Sequence, residues 1–131
     1  TLFRSGRKRP YHTIIPGFLT KDGEPVLSFG IMGGAMQPQA HMQTMVRLID
    51  HAQNPQACLD APRFRVDADH LVDVERHAPP QMREALEARG HRLVEKIDEY
   101  DVFGAGQFIY KVEGGYVAAS DSRRDGEAVG Y

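Results

Sequence analysis

Ser28-Phe29-Gly30-Ile31-Met32-Gly33-Gly34-Ala35-Met36-Gln37-Pro38 is the stretch on which the reading of the fold turns. It opens as an apolar strand, breaks at a glycine pair and continues into a helix. Pro38 suits the first helical turn, where the N–H it lacks would have no partner anyway. Glycines let the backbone approach a ligand closely, and a helix start presents unpaired N–H groups with a partial positive charge. Such a junction can hold a carboxylate or stabilise an oxyanion. The pattern alone equally allows a tight strand-to-helix connection.

Toward the N-terminus, an apolar run from Tyr11 to Leu19, interrupted by Pro16-Gly17, is separated from Pro25–Met32 by Lys21-Asp22-Gly23-Glu24. An Asp-Gly pair between two apolar runs predicts a hairpin, because the turn needs positive φ. Both runs are nearly continuously apolar, which predicts a sheet covered on both faces. Toward the C-terminus, Met42, Met45, Val46 and Ile49 recur at helical spacing and predict the apolar face of the helix. Asn54-Pro55 ends that helix and caps a short second one to Ala61, which Pro62 stops. After Arg63-Phe64-Arg65-Val66 comes a strand, Leu71–Val74, then a helix from Pro79 to Arg89 with Met82, Ala85 and Leu86 on one face and Gly90 as C-cap. A strand from His91 to Ile97 and a loop from Tyr100 to Gly106 lead to a closing hairpin. Its arms are Gln107–Val112 and Tyr116–Ser120, its turn Glu113-Gly114-Gly115, and a polar tail follows. The sum is a single α+β unit of about six strands and three helices.

Composition closes several doors. With 16 basic and 18 acidic residues the formal charge is −2, which gives no reason to expect a nucleic acid or an anionic membrane as partner. No apolar run approaches the ~20 residues that span a bilayer. Cys58, in an apolar helical stretch, is expected to be a buried, inert thiol, and it fits cytoplasm or periplasm equally. His12, His41, His51, His70, His77 and His91 show no metal-binding spacing, so no metal is expected. There is no Gly-x-Ser-x-Gly elbow, and Gly33-Gly34 lacks both the lysine of a P-loop and the third glycine of a dinucleotide fingerprint. Arg4, Arg7, Lys8 and Arg9 read as an irregular basic lead-in.

Four stretches, taken in order, resemble the small subunit of γ-glutamyltransferase-family enzymes. Lys8-Arg9-Pro10-Tyr11-His12-Thr13-Ile14-Ile15-Pro16 is similar to the family's Lys-Arg-Pro segment, and Gly30-Ile31-Met32-Gly33-Gly34 to its Gly-x-x-Gly-Gly loop. Ala61-Pro62-Arg63 and Ser120-Asp121-Ser122-Arg123-Arg124-Asp125-Gly126 are similar to its Ala-Pro-Arg segment and its Asp-x-Arg-Arg-x-Gly ending. The resemblance implies part of a four-layered αββα N-terminal-nucleophile hydrolase sandwich, matured by self-cleavage. It implies a threonine acyl-enzyme, with hydrolysis or transfer of a γ-glutamyl or related acyl group from an amide such as glutathione and no cofactor. Gly33 and Gly34 would form the oxyanion hole, and His12 and Thr13 would bind substrate where transpeptidases carry a serine pair. The loop reads Gly-Ile-Met-Gly-Gly where transpeptidases have Ser-Pro in the middle. Together with Met36-Gln37-Pro38-Gln39, this resembles the acylase-like branch, in which hydrolysis dominates.

On this mapping residues 1–131 are the C-terminal portion of the catalytic domain, without the nucleophile. Thr1 lies seven residues before Lys8 and lacks the nucleophile's context. The partners implied are an acyl-amide substrate and the remainder of the same enzyme, with homo-oligomerisation left open. Large exposed apolar strand faces are expected of such a piece. The alternative is a non-catalytic scaffold that binds a small anion at the glycine loop.

Overall fold

The computed structural model describes residues 6, 9, 13–67, 69–96 and 102–130. Thr1, Arg4, Arg7, Lys8, Tyr11, His12, Ile97 and Tyr100, which figure in the sequence reading, lie outside the described residues.

Strands β1 (Pro16–Lys21) and β2 (Glu24–Met32) form the expected hairpin, with Asp22 at φ 53° and Gly23 at φ 83°, both left-handed as a two-residue type I′ turn requires. Helix α1 (Met36–Ile49) follows the glycine pair, and α2 (Pro55–Asp60) follows Asn54, whose side-chain oxygen accepts from the Ala57 N–H at 2.8 Å. Then come β3 (Phe64–Val66), β4 (Leu71–Glu75), α3 (Pro80–Glu87), β5 (Arg92–Lys96), β6 (Ala105–Val112) and β7 (Gly115–Ser120). Two sheets result. The larger runs β1-β2-β6-β7, antiparallel throughout; the smaller runs β3-β4-β5, with β4 and β5 parallel across the α3 crossover. The α+β class read from the sequence holds. Among the described residues there are seven strands; β3 is the one the sequence left unassigned, because three residues show no periodicity.

Among the described residues, the first apolar run becomes a strand only at Pro16, and Pro16-Gly17 begins the strand rather than interrupting it. Residues 13–15 pair instead with a glutamine side chain of α1, as described below. Gly17 is covered by the Phe29 ring across the ladder; a Cβ there would stand 2.3 Å from the ring. In the closing hairpin Val112 pairs with Gly115, so the turn is the two residues Glu113-Gly114 and Gly115 opens β7.

The main core lies between one face of the large sheet and helices α1 and α2. Leu27, Ile31, Phe108 and Ala119 from the sheet meet Met36, Ala40, Cys58 and Leu59 from the helices, with Phe103 closing one end. Cys58 is buried as expected, and burial pushes its thiol up. A second small core, Val72, Val74 and Ala78 with Phe64, Met82 and Leu93, sits between the small sheet and α3.

Two expectations about burial are corrected. Among the described residues the large sheet is covered on one face only: the row Phe18-Ser28-Ile109 on the other leaves Phe18 64% and Ile109 53% exposed. Helix α1 also turns its face differently from the periodicity. It buries Met36, Gln37, Ala40, Gln43 and Thr44, while Met42 and Ile49 are more than half exposed; Met45 alone of the predicted four packs at the core margin. The buried face is partly polar because its polar groups are all satisfied locally. Thr44 Oγ1 donates to Ala40 O at 2.8 Å, and the glutamines bond to backbone.

Candidate active site

The glycine pair sits between the end of β2 and the start of α1. Gly33 has φ 136° and Gly34 φ 57°, conformations that side chains disfavour. Met36 N donates to Gly33 O at 3.0 Å and Gln37 N to Gly34 O at 3.2 Å, so the helix starts on the carbonyls of the pair and leaves the glycine N–H groups free. Neither of those N–H groups finds an acceptor among the described residues. Ala35 at the helix start offers no side-chain cap.

Both sides of the loop are braced. On the strand side, His41 Nε2 accepts from the Ile31 N–H at 3.1 Å, and its ring lies 4.9 Å from that of Phe29. An imidazole nitrogen that accepts a backbone N–H must be unprotonated, and burial holds the His41 pKa below its ordinary value, in agreement with that role. Behind the loop, Gly33 packs directly on Gly104: a Cβ on Gly33 would stand 2.9 Å from Gly104 Cα, and one on Gly104 would stand 2.0 Å from Met32 O.

Gly104 is held in turn by a buried ionic cluster. Arg63 Nη1 donates to Phe103 O at 2.9 Å and Gly104 O at 3.1 Å, while its Nη2 pairs with Asp121 at 2.6 Å. Arg123 pairs with Asp121 at 3.0 Å and with both oxygens of Glu75. The Asp121 carboxylate also accepts from the Gly106 N–H at 2.9 Å. Burial pushes the Asp121 carboxyl up, but Arg63 and Arg123 outweigh it and hold its pKa below the ordinary value. Burial lowers the Arg63 pKa, whereas for Arg123 the loss of solvent is more than offset by Glu75 and Asp121. The cluster joins the two sheets, since Glu75 ends β4 and Asp121 follows β7.

The other side of the loop meets the segment that the sequence singled out for substrate binding. Gln37, 4% exposed, donates from Nε2 to Thr13 O at 2.8 Å and to Gly34 O at 3.3 Å, and accepts from Ile15 N at Oε1 at 2.9 Å. Thr13 thus lies beside the glycine loop; His12 is outside the described residues. Sequence reasoning did not assign Gln37, His41, Glu75 or the clustered Arg63, Asp121 and Arg123 to any structural role. The last three fell within segments quoted for a resemblance, but a charged residue in a polar tail carries no local sign that it will be buried.

A glycine loop with unpartnered N–H groups, beside a second polar segment and backed by a buried ionic cluster, suits recognition of a group that becomes anionic. The gamma-glutamyltranspeptidase family model matches residues 3–131. The glutathione hydrolase-like YwrD proenzyme of Bacillus subtilis is 33% identical over 131 aligned positions, covering 95% of this chain and 25% of that protein. Among solved structures, a cephalosporin acylase from Bacillus halodurans superimposes with a TM-score of 0.82 at 48% identity, covering 89% of this chain and 22% of that one. The gamma-glutamyltranspeptidase of Pseudomonas nitroreducens shares the fold, with a TM-score of 0.79 at 22% identity over 97% of this chain and 66% of that one. The chain thus spans about a quarter of the length of the Bacillus subtilis relative, and it belongs to the gamma-glutamyltranspeptidase family.

Proposed function

We propose that these residues supply the oxyanion loop and part of the acyl-recognition surface of an N-terminal-nucleophile amidohydrolase, as the C-terminal portion of its catalytic domain. The observation that carries this reading is the Gly33-Gly34 junction, whose two N–H groups have no acceptor among the described residues, held against Thr13 by one buried side chain. In this mechanism a threonine at a newly formed N-terminus, outside these residues, attacks the carbonyl carbon of an amide, and its α-amine takes the hydroxyl proton. The carbonyl oxygen becomes anionic and receives hydrogen bonds from Gly33 and Gly34. The amine leaves with a proton, and water or a second amine then attacks the acyl-threonine and releases the acyl group.

His12 and Thr13 grip the far end of the acyl group, γ-glutamyl or a related acid. The 48% identity with a cephalosporin acylase favours the acylase-like branch, in which hydrolysis prevails over transfer. The open face of the large sheet, with Phe18 and Ile109, is where the rest of a four-layered sandwich would pack.

Intact-mass measurement of every polypeptide in the purified full-length protein, paired with an amide-cleavage assay, tests the proposal. A separate chain that begins at threonine and contains this segment, with release of amine from an acyl amide, is the expected result. An uncleaved full-length chain that binds small anions and cleaves no amide would establish the scaffold reading instead.

A further inference from the structure

We propose that Gln37 is a positioning residue whose side chain sets the spacing between acyl recognition at Thr13 and the oxyanion loop at residues 33–34; this rests on the reading of the site given above. Both the oxygen and the nitrogen of the carboxamide are engaged. Its one oxygen accepts from Ile15 N at 2.9 Å, and its nitrogen donates to Thr13 O at 2.8 Å and to Gly34 O at 3.3 Å. Residues 13–15 have no strand partner, because β1 begins at Pro16. Among the described residues, no other hydrogen bond joins that segment to the glycine loop. Gln37 itself is well anchored: it is buried in the first turn of α1, one turn before His41, which ties the helix to the end of β2.

A substrate gripped at its far end beside Thr13 reacts only if its carbonyl oxygen reaches the Gly33 and Gly34 N–H groups at the same time. Displacing one grip from the other by about 1 Å costs on the order of 100-fold in rate. Gln37→Glu keeps the shape and the acceptor for Ile15, but it sets a carboxylate oxygen against the carbonyl oxygens of Thr13 and Gly34 in place of two N–H donors. The segment must then move away from the loop. Gln43 provides a matched control. It is buried on the same helix and bonds to Phe64 N at 3.1 Å and Phe64 O at 2.8 Å, on β3 rather than at the loop.

The test uses the full-length parent enzyme as wild type, Gln37→Glu, Gln37→Met and Gln43→Glu. The probes are γ-glutamyl and glutaryl anilides, which carry a carboxylate at the far end, and butyryl anilide, which does not. Amide hydrogen exchange of the segment containing Ile15 is followed in parallel. Both Gln37 variants are expected to lose about 100-fold in kcat/KM on the carboxylate-bearing anilides, mainly in kcat, and clearly less on butyryl anilide. Exchange at Ile15 is expected to accelerate in both, while Gln43→Glu keeps the wild-type kcat per folded molecule. Equal losses on all three anilides, equal losses in the Gln43 variant, or unchanged kinetics despite faster Ile15 exchange would each overturn the role of Gln37 alone. The methionine variant removes the bonds without adding a charge and carries the test if the glutamate variant does not mature. A wild-type parent that cleaves none of the anilides, with Ile15 still slow to exchange, would sink the amidohydrolase reading and the assigned role together while leaving the hydrogen bonds themselves intact.

Discussion

Gly33 and Gly34 look alike in the sequence but tolerate substitution differently. A Cβ on Gly34 meets nothing within 4 Å, so Gly34→Ala bears only the cost of φ 57°, about 1–2 kcal/mol. Gly33→Ala must also push Gly104 Cα away from 2.9 Å, so its loss of stability is expected to be the larger in urea denaturation of the full-length protein. His41 makes a pH-dependent prediction. Its pKa is lowered in the fold, so the unfolded chain binds the proton more readily and the stabilisation is complete above the ordinary value of 6.5. It is lost as the pH falls from 6.5 through the folded-state pKa. An NMR titration of the His41 ring should find a midpoint below 6.5, and a midpoint above it would contradict the acceptor role. The place of the glycine pair between a strand and a helix was legible in the sequence, since Gly-Gly at such a junction is a local signal. The sequence said nothing of His41, whose meaning lies in a bond to a residue ten positions away.

At the scale of elements, α1 shows why periodicity alone misplaced its buried face. Gln39 exchanges two bonds with Val66, at 2.9 and 2.8 Å, and Gln43 two with Phe64, at 2.8 and 3.1 Å. These residues lie four apart on the helix and two apart on β3, so two carboxamides occupy the free edge of the small sheet as another strand would. An uncovered strand edge is a template for aggregation, and side-chain amides cover this one. Replacing both glutamines by alanine should cost about 1 kcal/mol for each hydrogen bond removed. It should also raise amide exchange at Phe64 and Val66 without disturbing the β1–β2 hairpin. The hairpin, the Asn54 cap of α2 and the Gly90 turn after α3 were legible in advance because each depends on residues within one turn of the chain. Polar residues that replace a strand partner carry no such local pattern.

For the whole molecule, the ionic cluster and the uncovered faces matter most. Asp121→Asn leaves the buried Arg63 guanidinium facing a neutral amide, and loss of one partner of a buried pair costs about 3–5 kcal/mol. The expected outcome is a lowered denaturation midpoint together with loosening of Gly104 and the glycine loop, read by hydrogen exchange. A loss confined to the tail after Ser120 would contradict the bracing role. The exposed row of Phe18 and Ile109 predicts that the 131-residue chain, prepared alone, associates and binds a hydrophobic dye. Phe18→Glu with Ile109→Lys should abolish the dye binding; a soluble monomer that binds no dye before substitution would show the face to be harmless. The sequence by itself determined the α+β class, the hairpins, the three helices and the place of the candidate glycine junction, since turns, caps and apolar runs act over a few residues. Only the tertiary structure decided which face of α1 is buried, that Thr13 sits beside Gly34, and that Arg63, Glu75, Asp121 and Arg123 meet. Those outcomes depend on hydrogen bonds and charge pairs such as Arg63–Glu75, Gln37–Thr13 and Arg63–Asp121, closed between residues 12, 24 and 58 positions apart, and no local pattern encodes them.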